Sequence, residues 1–398
     1  MNILAIAAHF PMPDRAAGDL RFFEILSGLA ERHNVRFCAY KTPDSLQAVD
    51  TTAYRIALER RGITVLERNP IASLRSGLLD LILFEFHFAA RSYLDAARFW
   101  QPAARVLVDS VDIHFARFFA KARITGAEKD YSSAQAMKEV ELAIYGRADV
   151  VIAVSEEDKK ILEAEAKDLH IEVIPNIHAT STLPEGNPKL LDSLIFVGNF
   201  RHDPNVDGLL YFCEEVWPLI KKAAPDTVLT VVGSSPPEEV KGLASKGIKV
   251  LGFVPDIVPL LETSAISIAP LRYGGGLKGK IGEAMAYGLP VVTTSVGTEG
   301  FGLTPGDNVL VGDTPELFAA AVVDLIRDRE LYERIRRAGW AFVNERYSVH
   351  AVSERIRAMI ARLDRYPVKK LARGKRFAMA VQYYLDRHLS WRFRQSNP

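Results

Sequence analysis

Cysteine is nearly absent from this chain: of 398 residues only Cys38 and Cys213 carry a thiol, each within an apolar run. Two such residues form neither a disulfide framework nor a metal-ligand spacing, and a reducing compartment, the cytoplasm, is the expected setting. Other metal signatures are missing as well. No Asp-x-Asp occurs, and no two histidines sit at ligand spacing along the chain, so no metal is expected to serve. The loop after the first apolar run, His9–Gly18, has no G-x-G-x-x-G, which argues against a dinucleotide cofactor. No stretch is long and apolar enough to span a membrane, and Ile3–Ala8 is too short for a signal peptide and lacks its basic start.

Net charge is also lacking, at +1 overall, but the balance hides a split. Nine Lys or Arg against one Asp give residues 365–398 a local +8, which leaves −7 on the first 364. The basic residues are interleaved with Phe377, Val381, Tyr384, Leu385, Leu389, Trp391 and Phe393, the first four at helical spacing. A basic amphipathic tail of this kind suits an anionic membrane surface, at the inner face of the membrane for a cytoplasmic protein, each basic residue contributing about 1 kcal/mol. The competing expectation is a terminal helix docked on the chain's own acidic body. Nucleic acid is not an expected partner.

What is present is ordinary globular composition, 48% hydrophobic and 25% charged, in a chain too long for one core. Strand and helix signals alternate: Ile3–Ala8, a helix from about Gly18 to Arg32, Val35–Tyr40, a helix near Leu46–Arg60, Ile63–Leu66, Leu79–Phe84, Arg105–Val108 and Val150–Val154. This order predicts an α/β fold, a Rossmann-like domain over 1–178 with a parallel sheet covered on both faces. Phe115–Tyr145 reads as one long helical region whose clustered aromatics are expected in the core. Leu194–Val197, Val228–Val232, Val250–Phe253, Ala265–Ala269 and Pro290–Thr294 predict a second such domain over 179–345, followed by a helix within 346–364 and the tail, 365–398.

In parallel α/β sheets ligands bind off the carboxyl ends of strands, so chemistry is sought in those loops. The richest is Gly274-Gly275-Gly276, which removes every Cβ where a strand ends and a helix starts. Bare backbone and a helix N-terminus attract an anion, and Lys278 and Lys280 add two positive charges. Glu283, one turn later, can accept hydrogen bonds from sugar hydroxyls or simply complement the helix dipole. Together these are parts for holding a sugar nucleotide. In the first half the densest polar cluster is Asp109, Asp112 and His114, after Arg105–Val108; His114 is either structural or ligand-facing.

The Gly-rich turn, Lys-x-Lys, Glu283-Ala284-Met285-Ala286, Gly288-x-Pro290-Val291-Val292 and Gly297-x-x-Gly300 resemble the donor-binding segment of family 4 glycosyltransferases. The resemblance implies a GT-B fold, two Rossmann-like domains with a cleft between them. It also implies transfer of a sugar from a nucleotide-diphosphate sugar to a glycan or lipid-linked acceptor, mostly with retention. By the same resemblance Glu283 matches the second of two glutamates separated by seven residues, while Gly275 stands where the first would be. Ala17-Gly18 would face the donor phosphates, with Gly198, Asn199, Arg201 and Gly233 beside them, and Phe253 and Val254 would lie at the base. Asp112 and His114 would stand for a His-Asp pair near the transferred sugar, and the helix within 346–364 would cross back onto the first domain. The missing first glutamate, and the missing Arg and Lys after Gly198, leave open a catalytically weak or inactive partner subunit that binds donor or glycan. The other alternative is a sugar-nucleotide epimerase of the same fold, which would share the donor site but needs acid and base groups on both sides of the sugar, and the glycine loop does not offer them.

Overall fold

Short apolar runs buried from end to end, such as Val150–Ala153 and Ile266–Ala269, belong in sheets covered on both faces, and the chain builds two of them. The computed structural model describes residues 1–40, 50–67, 69–179, 182–183, 191–274 and 277–394, with side chains to 384. The first sheet consists of β1 (Asn2–Ala7), β2 (Asn34–Ala39), β3 (Thr64–Val65), β4 (Leu81–Glu85), β5 (Arg105–Asp109), β6 (Val150–Ala153) and β7 (Ile171–Val173), in the spatial order β3-β2-β1-β4-β5-β6-β7. The second consists of β8 (Ser193–Val197), β9 (Val228–Val232), β10 (Lys249–Gly252), β11 (Ile266–Ala269), β12 (Val291–Thr293) and β13 (Leu310–Val311), in the order β10-β9-β8-β11-β12-β13. Every pairing is parallel.

Alternation along β1 sends Leu4 and Ile6 into one helical layer and Ile3, Ala5 and Ala7 into the other, so the first sheet carries a core on each face. The chain order reverses between β1 and β4 in one sheet and between β8 and β11 in the other. At such switch points the adjoining loops diverge and leave a crevice at the carboxyl ends of the strands. The Val349–Arg362 helix returns from the second domain and buries Val352, Ile356 and Met359, with Leu363 just beyond, in the layer that holds Phe22, Leu26 and Leu29 of the Ala17–Ala30 helix.

Two local readings change. The region expected as one helix over Phe115–Tyr145 is two, His114–Thr125 and Glu128–Tyr145, because Gly126 adopts φ 65° and ends the first. Phe115 and Phe119 pack into the core, whereas Phe118 stays half-buried with Arg117 over its ring. The helix expected over Leu46–Arg60 is described as Thr52–Arg60, since 41–49 lie outside the described residues.

Candidate active site

The loops after β1 and β11 meet. The Ala17–Ala30 helix starts at Ala16 and the Gly279–Ala286 helix at Lys278, and no side-chain hydrogen bond closes either start. Two sets of uncapped N–H donors and two positive helix ends therefore converge between the domains, an arrangement that favours a bound anion. The approach is close: a Cβ on Gly279 would lie 2.3 Å from Ala17 Cβ. Three further contacts join the domains here. Asn176 Nδ2 donates to Leu277 O at 3.1 Å, Lys121 Nζ to Asp203 Oδ2 at 2.6 Å, and the Arg15 guanidinium lies 5.0 Å from the centre of the Phe253 ring.

Both lysines of the loop sit in this crevice, partly stripped of water. Burial lowers the pKa of Lys278, against the pull of Glu299 and Asp158; its Nζ is 3.5 Å from Glu299 Oε2. Lys280 is pushed down to about 7 by burial alone. Its Nζ donates to Asn205 Oδ1 at 2.6 Å and lies 4.4 Å from the centre of the Phe196 ring, with no carboxylate paired to it among the described residues. Burial raises Glu283, on the same helix, to about 7. An ammonium and a carboxyl both shifted to about neutrality on one helix mark groups whose charge a ligand would stabilise.

The opposite wall comes from the first domain. Asp112 Oδ2 accepts from Arg117 Nε at 2.7 Å, while its buried Oδ1 has no partner among the described residues. Asp158 is raised to about 7, chiefly by burial and then by Asp112, and its Oδ2 is likewise buried without a partner. No hydrogen bond or ion pair joins Asp112 to His114 among the described residues. The pairing read from the resemblance therefore separates: Asp112 holds Arg117, and His114 Nδ1 lies 3.1 Å from Glu141 Oε1.

The remaining candidates divide between cleft and scaffold. Gly198 and Gly233 end β8 and β9 so close together that a Cβ on Gly233 would stand 1.7 Å from Gly198 O. Asn199 Oδ1 accepts from Arg201 N at 3.0 Å, and the exposed Arg201 side chain donates from Nε to Ser235 Oγ at 3.3 Å. Gly18 packs on the turn before His114, where its Cβ would be 3.1 Å from Val111 Cγ1. Phe253 is exposed beneath Arg15, Val254 is half-buried, and a Cβ on Gly274 would be 3.6 Å from Lys278 Cε. Gly275 and Gly276 lie outside the described residues. Sequence reasoning passed over Asn205, Asp158, His87 and Glu141. Asn205 and His87 had a signal, since each stands in the first turn of a helix that follows a switch-point strand. A separate groove of about 590 Å³, lined by Ile71, Arg75, Phe99, Trp100, Met379 and Tyr383, lies under the C-terminal helix and contains none of the cleft residues.

Solved structures share this two-sheet arrangement. HepE of Anabaena in complex with UDP-glucose aligns over 91% of this chain and 100% of its own, with a TM-score of 0.69 and 16% identity. The fold is GT-B. Sucrose-phosphate synthase from Thermosynechococcus elongatus (TM-score 0.67, 15% identity, 91% of this chain and 99% of that one) and a glycosyltransferase from Rickettsia africae (0.64, 14%, 91% and 98%) are similar over the same extent. Within the GT-B frame, residues 192–328 match the family described as Glycosyl transferases group 1. An uncharacterized 44.6 kDa protein in the cps region of Klebsiella pneumoniae is 28% identical over 164 residues, 39% of this chain and 42% of that protein. An uncharacterized glycosyltransferase of Haemophilus influenzae is 30% identical over 172 residues, 41% of this chain and 44% of that protein. The matched stretches span less than half the length of either relative.

Proposed function

We propose that the protein is a glycosyltransferase of the family 4 kind. It moves a sugar from a nucleotide-diphosphate sugar to a glycan or lipid-linked acceptor in polysaccharide assembly, with retention and without a metal. The observation that carries this reading is the convergence of two uncapped helix ends with Lys278 and Lys280 on one interdomain crevice. As the sugar leaves, negative charge gathers on the nucleotide diphosphate, and preorganised N–H groups and ammonium groups stabilise it most in a site already dry. Glu283 takes the ribose hydroxyls, Phe253 and Val254 border the base, and Asp112 and His114 face the sugar from the first domain. HepE and the pneumococcal O-GlcNAc transferase GtfA were each solved with UDP, which supports a uridine nucleotide as the first probe.

The test is incubation with a panel of nucleotide sugars in the presence of a chelator, following free nucleotide diphosphate and mass gain on acceptor glycans. Transfer that persists in chelator is the expected result, with the anomeric configuration of the product retained by NMR. An epimerised donor, or binding without turnover, would replace this reading by one of its two rivals.

The same reading extends to a membrane-borne acceptor. Among the described residues no helix is long and apolar enough to cross a membrane. The Arg373–Arg394 helix docks on the first domain through one face: Met379 packs on its core, Tyr383 meets the Trp100 ring at 4.8 Å and accepts from Arg75 Nη2 at 3.0 Å. Away from that face Phe377, Val381 and Tyr384, spaced i, i+4, i+7, remain exposed beside Lys375 and Arg376. A docked helix with an outward apolar stripe fits a peripheral contact with an anionic leaflet. The triple variant Phe377→Ser, Val381→Ser, Tyr384→Ser leaves the docking face intact and is expected to co-sediment with anionic vesicles at least about tenfold less than the wild type, because burying one such side chain contributes roughly 1.5–3 kcal/mol. Equal sedimentation of the two proteins would remove the stripe from the contact.

A further inference from the structure

Behind the sugar-facing wall lies a buried hub that the cleft chemistry above does not use. Glu141, wholly buried in the Glu128–Tyr145 helix, accepts from His114 N (3.2 Å), His114 Nδ1 (3.1 Å) and Tyr145 OH (3.2 Å) at Oε1, and from Phe115 N (3.0 Å) at Oε2. His87 Nδ1 lies 3.1 Å from the same Oε1 but out of line for a hydrogen bond, and its ring meets His114 edge-on at 4.9 Å. Despite its burial, the two imidazoles, His114 first, and the Phe115 N–H hold the Glu141 carboxyl down at about 2, so it is charged whenever the protein is folded near neutrality. Both imidazoles enter from left-handed turns on non-glycine residues, Phe86 at φ 63° and the β-branched Val111 at φ 56°. Those turns follow paired strand ends, Glu85 opposite Asp109, at the carboxyl edge of the first sheet. Backbone of this kind is strained and persists where surrounding contacts over-determine it.

A carboxylate can only accept. The nitrogen that faces it must therefore carry the proton, so the neutral His114 ring is the Nδ1–H tautomer with its Nε2 lone pair free. The His114 side chain is 16% exposed, and its Nε2 has no hydrogen-bond partner among the described residues. The segment that carries it also bears Asp112, which acts electrostatically on Lys278, and Lys121, bonded to Asp203 of the second domain, so it borders the cleft. We propose that Glu141 is a positioning residue that holds His114 with Nε2 turned to the ligand, as hydrogen-bond acceptor for a hydroxyl of the donor sugar or the acceptor. The inference rests on the glycosyl-transfer reading. The three side chains could also ligate a cation, since their donor atoms all lie within 4.8 Å of one another. The hydrogen bonds already made to Glu141 favour the positioning role.

The test has one arm that needs no turnover. Nitrogen-15 NMR of the imidazoles in the full chain, above neutral pH, should show His114 protonated at Nδ1 and bare at Nε2. The Glu141→Gln variant, which keeps the volume but offers a donor in place of one acceptor, should lose that bias. Its kcat should fall about tenfold to a hundredfold with donor KM little changed. An Nε2–H tautomer in the wild type, wild-type kcat in the variant, or zinc displacing the Nδ1 protons of both histidines would each overturn the proposal. If no nucleotide sugar is turned over, the functional reading fails by itself and the tautomer decides this one.

Discussion

Replacing Lys278 and Lys280 together by alanine is expected to weaken UDP binding by about a hundredfold or more while leaving uridine binding nearly unchanged. Hydrogen bonds to charged groups contribute roughly 1.5–3 kcal/mol each, and every 1.4 kcal/mol is about tenfold in affinity. The two ammonium groups flank the start of the Gly279–Ala286 helix, so both act on whatever anion that helix end holds. The fold should tolerate the change. Lys280 is half-buried without a countercharge among the described residues, and the Glu299 partner of Lys278 is largely exposed. Removing a desolvated ammonium that lacks a close countercharge, as at Lys280, relieves a penalty rather than creating one. Calorimetric titration with the two ligands decides the matter, and equal losses for UDP and uridine would assign the lysines to scaffold.

The same site gives opposite pH trends for the two ligands. Burial pushes Lys280 down to about 7 and Glu283 up to about 7. A diphosphate stabilises the charged ammonium and raises the Lys280 pKa, so above neutrality UDP binding must take up close to one proton, and its affinity falls as pH rises. Ribose hydroxyls favour ionised Glu283, so uridine affinity rises through the same range as that carboxyl loses its proton. Subtracting the uridine trend from the UDP trend isolates the lysine. Repeating the titration in buffers of different ionisation enthalpy measures the proton directly.

The fold was legible because its signals are local. Apolar runs of four to six residues separated by helix-length segments specify parallel strands, and both sheets take their strands from the runs named in the sequence, with β7 and β13 as additions. The donor-side loop was legible for the same reason: three glycines, two lysines and a glutamate lie within ten residues of one another. What escaped is non-local. Glu141 is 27 residues from His114 and reaches it only because the two helices fold back at Gly126, and nothing in the Glu128–Tyr145 segment marks that carboxylate as buried. The resemblance pairs Asp112 with His114, yet the turn at Val111 sends the two side chains to different partners. Gly282 carries no mark in the sequence of its packing role. Its missing Cβ makes room for the His178 ring, whose Nε2 would lie 2.1 Å from it, a contact between interdomain linker and helix that no spacing rule announces.

The second large effect concerns how nearly the domains can approach. A Cβ at residue 279 would stand 2.3 Å from Ala17 Cβ, far inside van der Waals contact, and both positions lie on helix N-termini with little freedom to shift. Gly279→Ala is therefore expected to wedge the crevice open, since the atoms its Cβ would meet are those of Ala17 and Asn176 across the crevice rather than core side chains of its own domain. Misplacing reacting groups by about 1 Å can cost on the order of a hundredfold in rate, and that is the expected loss of kcat/KM, with little change in melting temperature. The obstruction is mutual, which supplies the control. Ala17→Gly removes the opposing methyl at a helix-propensity cost of up to about 1 kcal/mol, and in the double variant it should restore most of the activity. Small-angle scattering should track the same series, widened for Gly279→Ala and returned for the pair. Activity lost in Gly279→Ala and not recovered on adding Ala17→Gly would mean that the glycine serves the helix start itself, its bare backbone lying against the ligand rather than against the first domain.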